Sequence, residues 1–154
     1  MPGRVIAGLV IFWLVGCAAP GSLTVGALAW SESGSIEWRR GETLVSARLQ
    51  LGADTNGNLV LTIKNPGKLI EIMRSGNVWS ATGPIAGSGW TGPRENAPLG
   101  LAGWLTLTET LAYIKTAPDQ VDGVASGNVR ARWDKNRADV ITAETGEQFR
   151  VVWK

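Results

Sequence analysis

Thirteen carboxylates, one thiol and no imidazole are what this chain of 154 residues brings to any chemistry. Without His, the commonest general base, the commonest transition-metal ligand and the usual partner of a Ser or Cys nucleophile are missing. The carboxylates, from Glu32 to Glu147, are scattered. No spacing among them recreates a calcium loop or a glycosidase pair, although Asp119 and Asp122 can meet across a turn. They read as solvated loop charges. Gly87-Ser88-Gly89 lacks the Lys-Ser/Thr of a phosphate loop and leads into no helix directly. No base, nucleophile and orienting group can be assembled, so the expectation is a protein that is not an enzyme and uses no cofactor or metal. A net charge of +2 with 18% charged residues gives no basic excess for phosphate backbones, so no nucleic-acid partner is expected.

The single thiol is better placed than the carboxylates. Arg4 precedes an unbroken apolar or glycine run, Val5 to Val15. Its length fits the roughly 7–15 residues of an export-signal core and falls short of the ~20 that span a bilayer. Leu14, Val15, Gly16 and Cys17 then stand in an order that resembles the bacterial lipobox. The resemblance implies a thioether-linked diacylglyceryl group on Cys17, cleavage after Gly16 and acylation of the new amino terminus. Two or three acyl chains at about 0.8 kcal/mol per buried methylene anchor stably where one chain is marginal. A Cys buried at the end of a signal anchor or core helix is the plainer alternative. The thiol has no second Cys to pair with, so the fold has to hold without disulfides. Residues 1–16 are expected to be a cleaved signal peptide, 17–22 a lipidated tether and 23–154 a single β-rich domain. Ala18 and Ala19 follow the Cys where Asp often retains such proteins in the inner membrane. The resemblance therefore favours the outer membrane of a bacterial envelope, with the domain in the periplasm.

The elements of that domain follow from its periodicities. Leu23 to Ala29 alternates weakly, and Ser31 to Ser35 has the composition of a turn. Val45, Ala47, Leu49 and Leu51 alternate with polar residues, a half-buried strand, and Gly52 to Asn58 carries turn chemistry. Leu59–Lys64 returns, Asn65-Pro66-Gly67 turns with Gly in the left-handed position, and Leu69–Met73 and Val78–Ala81 complete an antiparallel meander. From Thr82 to Gly103 the density of Gly and Pro opposes any regular element. Asn96 is expected to cap a helix through Leu101, Trp104, Leu105, Thr108, Leu111, Ala112 and Lys115, which Pro118 stops. Three further segments, around Val129–Trp133, Val140-Ile141 and Phe149–Trp153, close the sheet. The fold class is therefore mainly β (α+β): an antiparallel curled sheet or half-open barrel of about seven or eight strands with one helix.

Tryptophan is the unusual residue, with seven beyond the signal segment. Indoles can fill a small core, since each buries about 150–250 Å². They can equally line an apolar cavity under the crossover and helix. Leu49, Leu61, Trp79, Trp104, Trp133 and Trp153 are the candidate lining residues. Trp90, flanked by Gly89 and Thr91-Gly92, is the candidate to dip into a membrane interface. Arg130, Arg132, Lys135 and Arg137 cluster around one hairpin, as the outer face of an exposed ribbon or as a contact for anionic headgroups.

The order of lipobox, meander, Gly/Pro-rich crossover with helix and closing strands resembles the LolA/LolB superfamily of lipoprotein carriers and receptors. The local likeness lies in Leu61-Thr62-Ile63-Lys64-Asn65-Pro66-Gly67 and Leu69-Ile70-Glu71-Ile72, within Val45 to Trp79. It implies a half-open barrel accepting lipoprotein acyl chains in an apolar cavity. LolB-type receptors place a protruding Leu after the Asn-Pro; Leu69, two positions beyond Gly67, is the candidate membrane contact here. The expected function is thus non-enzymatic binding of lipid or lipoprotein acyl chains. The rival is an interaction lipoprotein whose filled core docks an envelope protein through a sheet edge.

Overall fold

The computed structural model describes residues 23–116, 123–126 and 129–154, with side chains placed in 23–116 and 129–154. The expected signal peptide, Cys17 with its tether, Pro118 and the Asp119–Asp122 pair lie outside them. Ten strands form one antiparallel sheet: β1 (Leu28–Arg40), β2 (Thr43–Asp54), β3 (Leu59–Asn65), β4 (Gly67–Ser75), β5 (Val78–Thr82), β6 (Trp90–Pro93), β7 (Gly123–Ser126), β8 (Val129–Trp133), β9 (Arg137–Thr142) and β10 (Gln148–Trp153). Helix α1 (Leu99–Thr116) stands between β6 and β7 in sequence. The order across the sheet is β6-β5-β4-β3-β2-β1-β10-β9-β8-β7. Two meanders are thus joined where β1 pairs β10, and α1 carries the chain between the two outer edges. The sheet curls around α1 without closing, because β6 and β7 do not pair.

Alternation decides which side chains face α1. In β10 Phe149, Val151 and Trp153 are buried while Gln148, Arg150 and Val152 are exposed, and β2, β3, β8 and β9 repeat the pattern. The helix is apolar almost all round. Leu101, Trp104, Leu105, Leu107, Leu111 and Ile114 are buried on several sides of it, wider than the single stripe expected from the sequence. Its threonines fit this burial because Thr108 and Thr110 donate to the carbonyls of Trp104 and Thr106, at 2.9 and 2.8 Å.

Several expectations are corrected. Ten strands replace seven or eight, since β1 and the two short edge strands β6 and β7 add to the count. Ser31 to Ser35 is no turn: β1 runs through it as a central strand, its serines on the outer face where polar side chains are tolerated. Gly34 is needed there, because a Cβ would lie 2.4 Å from the Val152 carbonyl oxygen. Regular structure begins at Leu28, so of the weak strand expected over Leu23 to Ala29 only Leu28 and Ala29 lie in one. The Gly/Pro-rich stretch does contain a strand, β6, which tolerates Pro93 because it lies at the edge. Asn96 does not cap α1; it ends a single 3-10 turn, and the carbonyl of Pro98 accepts from the N–H groups of Leu101 and Ala102. Gly67 does not take the left-handed conformation, which falls instead to Gly57 in the β2–β3 turn and Gly76 in the β4–β5 turn.

The β2–β3 turn is the best-satisfied loop. The Asp54 carboxylate accepts from the backbone N–H of Asn56 and Asn58, from the Asn58 amide and from the N–H of Gly26. These bonds, led by the Asn58 amide, hold its pKa below the ordinary value despite the cost of its burial. The same carboxylate thereby fastens the incoming chain to the turn.

Candidate acyl-chain site under helix α1

All six candidate lining residues reach the concave side, and all belong to one core cluster with the buried face of α1. Leu49 and Leu61 come from the floor formed by β2 and β3, Trp79 from β5, Trp133 from β8 and Trp153 from β10. Trp104 projects from the helix itself. Each is at most 8% exposed. Trp104 sits at the centre, its ring centroid 5.2 Å from that of Trp38 and 5.0 Å from Phe149. The interior is thus occupied by α1 and these rings.

Polar atoms within it are few and unevenly satisfied. The indole N–H groups of Trp104, Trp133 and Trp153 are buried without an acceptor. A buried donor left unpaired costs about 1–3 kcal/mol, so three in one core are expensive. Glu147, in the β9–β10 turn, is fully buried. Its Oε2 accepts from the Trp38 indole at 2.7 Å, while its Oε1 has no partner and faces Gly103 of α1. The expectation of solvated loop carboxylates fails for Glu147 and Asp54. Nothing local marks Glu147, because its partner stands 109 positions away.

Charged groups at the rim strap the helix. Glu109 pairs with Arg94 and, at 3.7 Å, with Arg74 of β4. Lys115 lies 3.7 Å from Glu32 of β1 and stands over the Trp153 ring at 4.1 Å. Exposed pairs of this kind contribute roughly 0–1 kcal/mol each, so they guide α1 more than they hold it.

The two candidate membrane contacts are both half-buried against the core. The Trp90 ring lies over Gly92, and Leu69 of β4 is partly buried beside the fully buried Ile70. The apolar side chains that stand out are instead Leu99 at 68% and Leu44 at 52% exposure. Among the described residues no group of metal-ligating side chains occurs, and no helix is long and apolar enough to cross a membrane. Compared with known proteins, the chain matches no family model and no curated protein.

Proposed function

We propose that the chain is a lipid-anchored protein of the bacterial envelope, held through Cys17 on the outer membrane, and that its half-barrel takes up acyl chains of lipids or lipoproteins without catalysing a reaction. The observation that carries this reading is the trio of unpaired indole donors, Trp104, Trp133 and Trp153, in an interior whose other buried polar groups are few, chiefly Glu147 and the threonines of α1. A purely structural core gains nothing from them. A ligand whose ester or carboxyl oxygens enter beside its chains supplies the missing acceptors.

Uptake requires α1 to move, and magnitudes then select the ligand. Exposing Leu101, Trp104, Leu105, Leu107 and Leu111 at about 1.5–3 kcal/mol each costs on the order of 10 kcal/mol. An acyl methylene returns about 0.8 kcal/mol, so one long chain roughly balances the displacement and two or three exceed it. Diacyl and triacyl ligands are therefore favoured over free fatty acids. The filling of the interior by α1 favours the second reading, an interaction lipoprotein that docks an envelope protein through a sheet edge, of which β6 and β7 are the two available.

Native mass spectrometry of the mature chain, released from the membranes of an envelope-bearing host and followed by lipid extraction, separates the two. A stoichiometric diacyl lipid or acylated peptide beyond the chain's own anchor is expected. It should persist in Cys17→Ser alone and be lost when, in that background, Ala53→Cys of β2 and Ala112→Cys of α1, which share a small buried cluster with Leu59, are joined by a disulfide. A bare mass, with no quenching of Trp fluorescence by brominated phospholipid, overturns acyl binding in favour of the filled core.

A further inference from the structure

The face of the sheet turned away from α1 is patterned as closely as the core. Across β2, β1, β10, β9 and β8 the register aligns Leu44, Arg39, Gln148, Ile141 and Arg130 in one row. The next row reads Ser46, Glu37, Arg150, Asp139 and Arg132. A third runs Arg48, Ser35, Val152 and Arg137, and Lys64 of β3 extends it beside Arg48. Seven cations on this face meet two carboxylates, Glu37 and Asp139. The other seven cations among the described residues stand against nine carboxylates, so the positive charge is concentrated on this face.

The two carboxylates do not dissolve the pattern. Asp139 takes both Arg137 and Arg150, at 2.8 and 2.9 Å, and Glu37 lies 4.0 Å from Arg150. Arg39, Arg48, Arg130 and Lys64 make no ion pair among the described residues. Between the cations stand exposed aliphatic side chains, Leu44, Ile141 and Val152, 42–52% open to solvent. A groove of about 300 Å³ opens between Leu44 and Ile141, floored by Phe149 and Val140 and edged by Arg39 and Arg150 together with Glu37 and Asp139.

We infer that this outer face of β2-β1-β10-β9-β8 docks on the headgroups of an anionic lipid bilayer. Arginine forks suit phosphate, and the charge surplus is complementary to such a surface. Aliphatic side chains set among the cations suit the acyl boundary beneath the headgroups. No aromatic side chain on these rows offers a stacking platform for nucleic-acid bases. This face is separate from the interior under α1, and the inference stands whether or not that interior takes a ligand.

The test uses the full chain, captured by a carboxyl-terminal tag and exposed to nanodiscs of phosphatidylcholine alone or mixed with phosphatidylglycerol. The amino-terminal segment, with Arg4 and the α-amine, is the same in every variant, so the change in the excess for the anionic discs on charge reversal reads the face. That excess should be well above about 25-fold, at roughly fivefold per cation, and should shrink with added salt. Each cation near an anionic surface multiplies binding roughly fivefold. Arg39→Glu with Arg130→Glu, both exposed and unpaired, should then remove about 25-fold or more without altering the melting temperature. Leu44→Ser with Ile141→Ser should weaken binding while leaving the salt dependence in place. Equal binding to both discs overturns the inference, as does an excess indifferent to the charge reversals. Capture of a DNA duplex with no preference for the anionic discs overturns it in favour of a soluble polyanion.

Discussion

The indole of Trp38 donates to Oε2 of Glu147 at 2.7 Å, joining the far end of β1 to the β9–β10 turn beneath α1. Among the described residues it is the one hydrogen bond of a carboxyl group that no solvent reaches. Trp38→Phe keeps the ring against Trp104 and removes the donor. Leaving a buried acceptor unpaired costs about 1–3 kcal/mol, and chemical denaturation should show a loss in that range. Glu147→Leu in the Trp38→Phe background should recover part of it. A double variant no more stable than Trp38→Phe alone would show that the bond is not what ties the turn to β1.

Gly103 meets the same group from the helix side. A Cβ there would lie 3.0 Å from both Glu147 Oε1 and Thr145 Oγ1. Overpacking of this kind typically costs about 1–3 kcal/mol. Gly103→Ala should therefore raise hydrogen exchange in α1 more than in β2 and β3, because the crowding is at the helix. Uniformly faster exchange across the sheet would count against a local effect.

Where the chain reads plainly, one face of an element is wet and the other dry. The phases of Val45–Leu51, Leu59–Lys64 and Phe149–Trp153 place Leu49, Leu61 and Trp153 inside, and the structure puts them there. β1 is hidden because its outer row is Ser31, Ser33 and Ser35 around Gly34, a composition shared by turns. Only the neighbouring β10 reveals that Gly34 serves a close strand approach. The start of α1 is misread because Asn96 is the better capping side chain, while the backbone carbonyl of Pro98 takes the role. Glu147 is illegible for a different reason: its burial depends on Trp38 and Gly103, which are distant in sequence. The arginine rows are legible one strand at a time, as at Arg130 and Arg132, but their union needs the β1–β10 pairing.

That pairing can be challenged directly. At Gly34 an added Cβ would meet backbone, the Val152 carbonyl at 2.4 Å, which cannot swing away as a side chain can. Gly34→Ala should destabilise by about 1–3 kcal/mol or more, and Gly34→Val more strongly. Urea melts of the two variants check this. An unchanged midpoint would mean that β1 and β10 are not held at this register.

Lipidation at Cys17 predicts a covalent label. Cells of a bacterial host fed radioactive palmitate should label the chain, and Cys17→Ala should abolish the label almost completely. The wild-type chain should stay with the membranes through a high-salt wash, because acyl burial is not screened by ions. Labelling that persists in Cys17→Ala would place the lipid elsewhere or make it noncovalent.

Acid should loosen the fold through two aspartates. Bonds from the Asn58 amide and the backbone of Asn58, Gly26 and Asn56 outweigh burial and hold Asp54 below 3.8. Burial raises Asp139, but the bonds and charges of Arg150 and Arg137 outweigh it. A carboxylate whose folded pKa is depressed binds its proton more readily when unfolded. Its contribution is complete above the ordinary value and disappears as pH falls through the lower, folded value. The melting temperature should therefore be steady from about pH 7 to about pH 5 and drop below about pH 4. Asp54→Ala should melt lower than wild type at neutral pH, since Gly26, Asn56 and Asn58 lose their common acceptor. It should also show a smaller acid drop, because only Asp139 remains of the two. A variant whose acid drop equals that of wild type would remove the Asp54 carboxylate from the account, leaving the turn held by the backbone bonds of Asp54 with Gly57 and Asn58 and by Arg74, which donates to the Gly57 carbonyl.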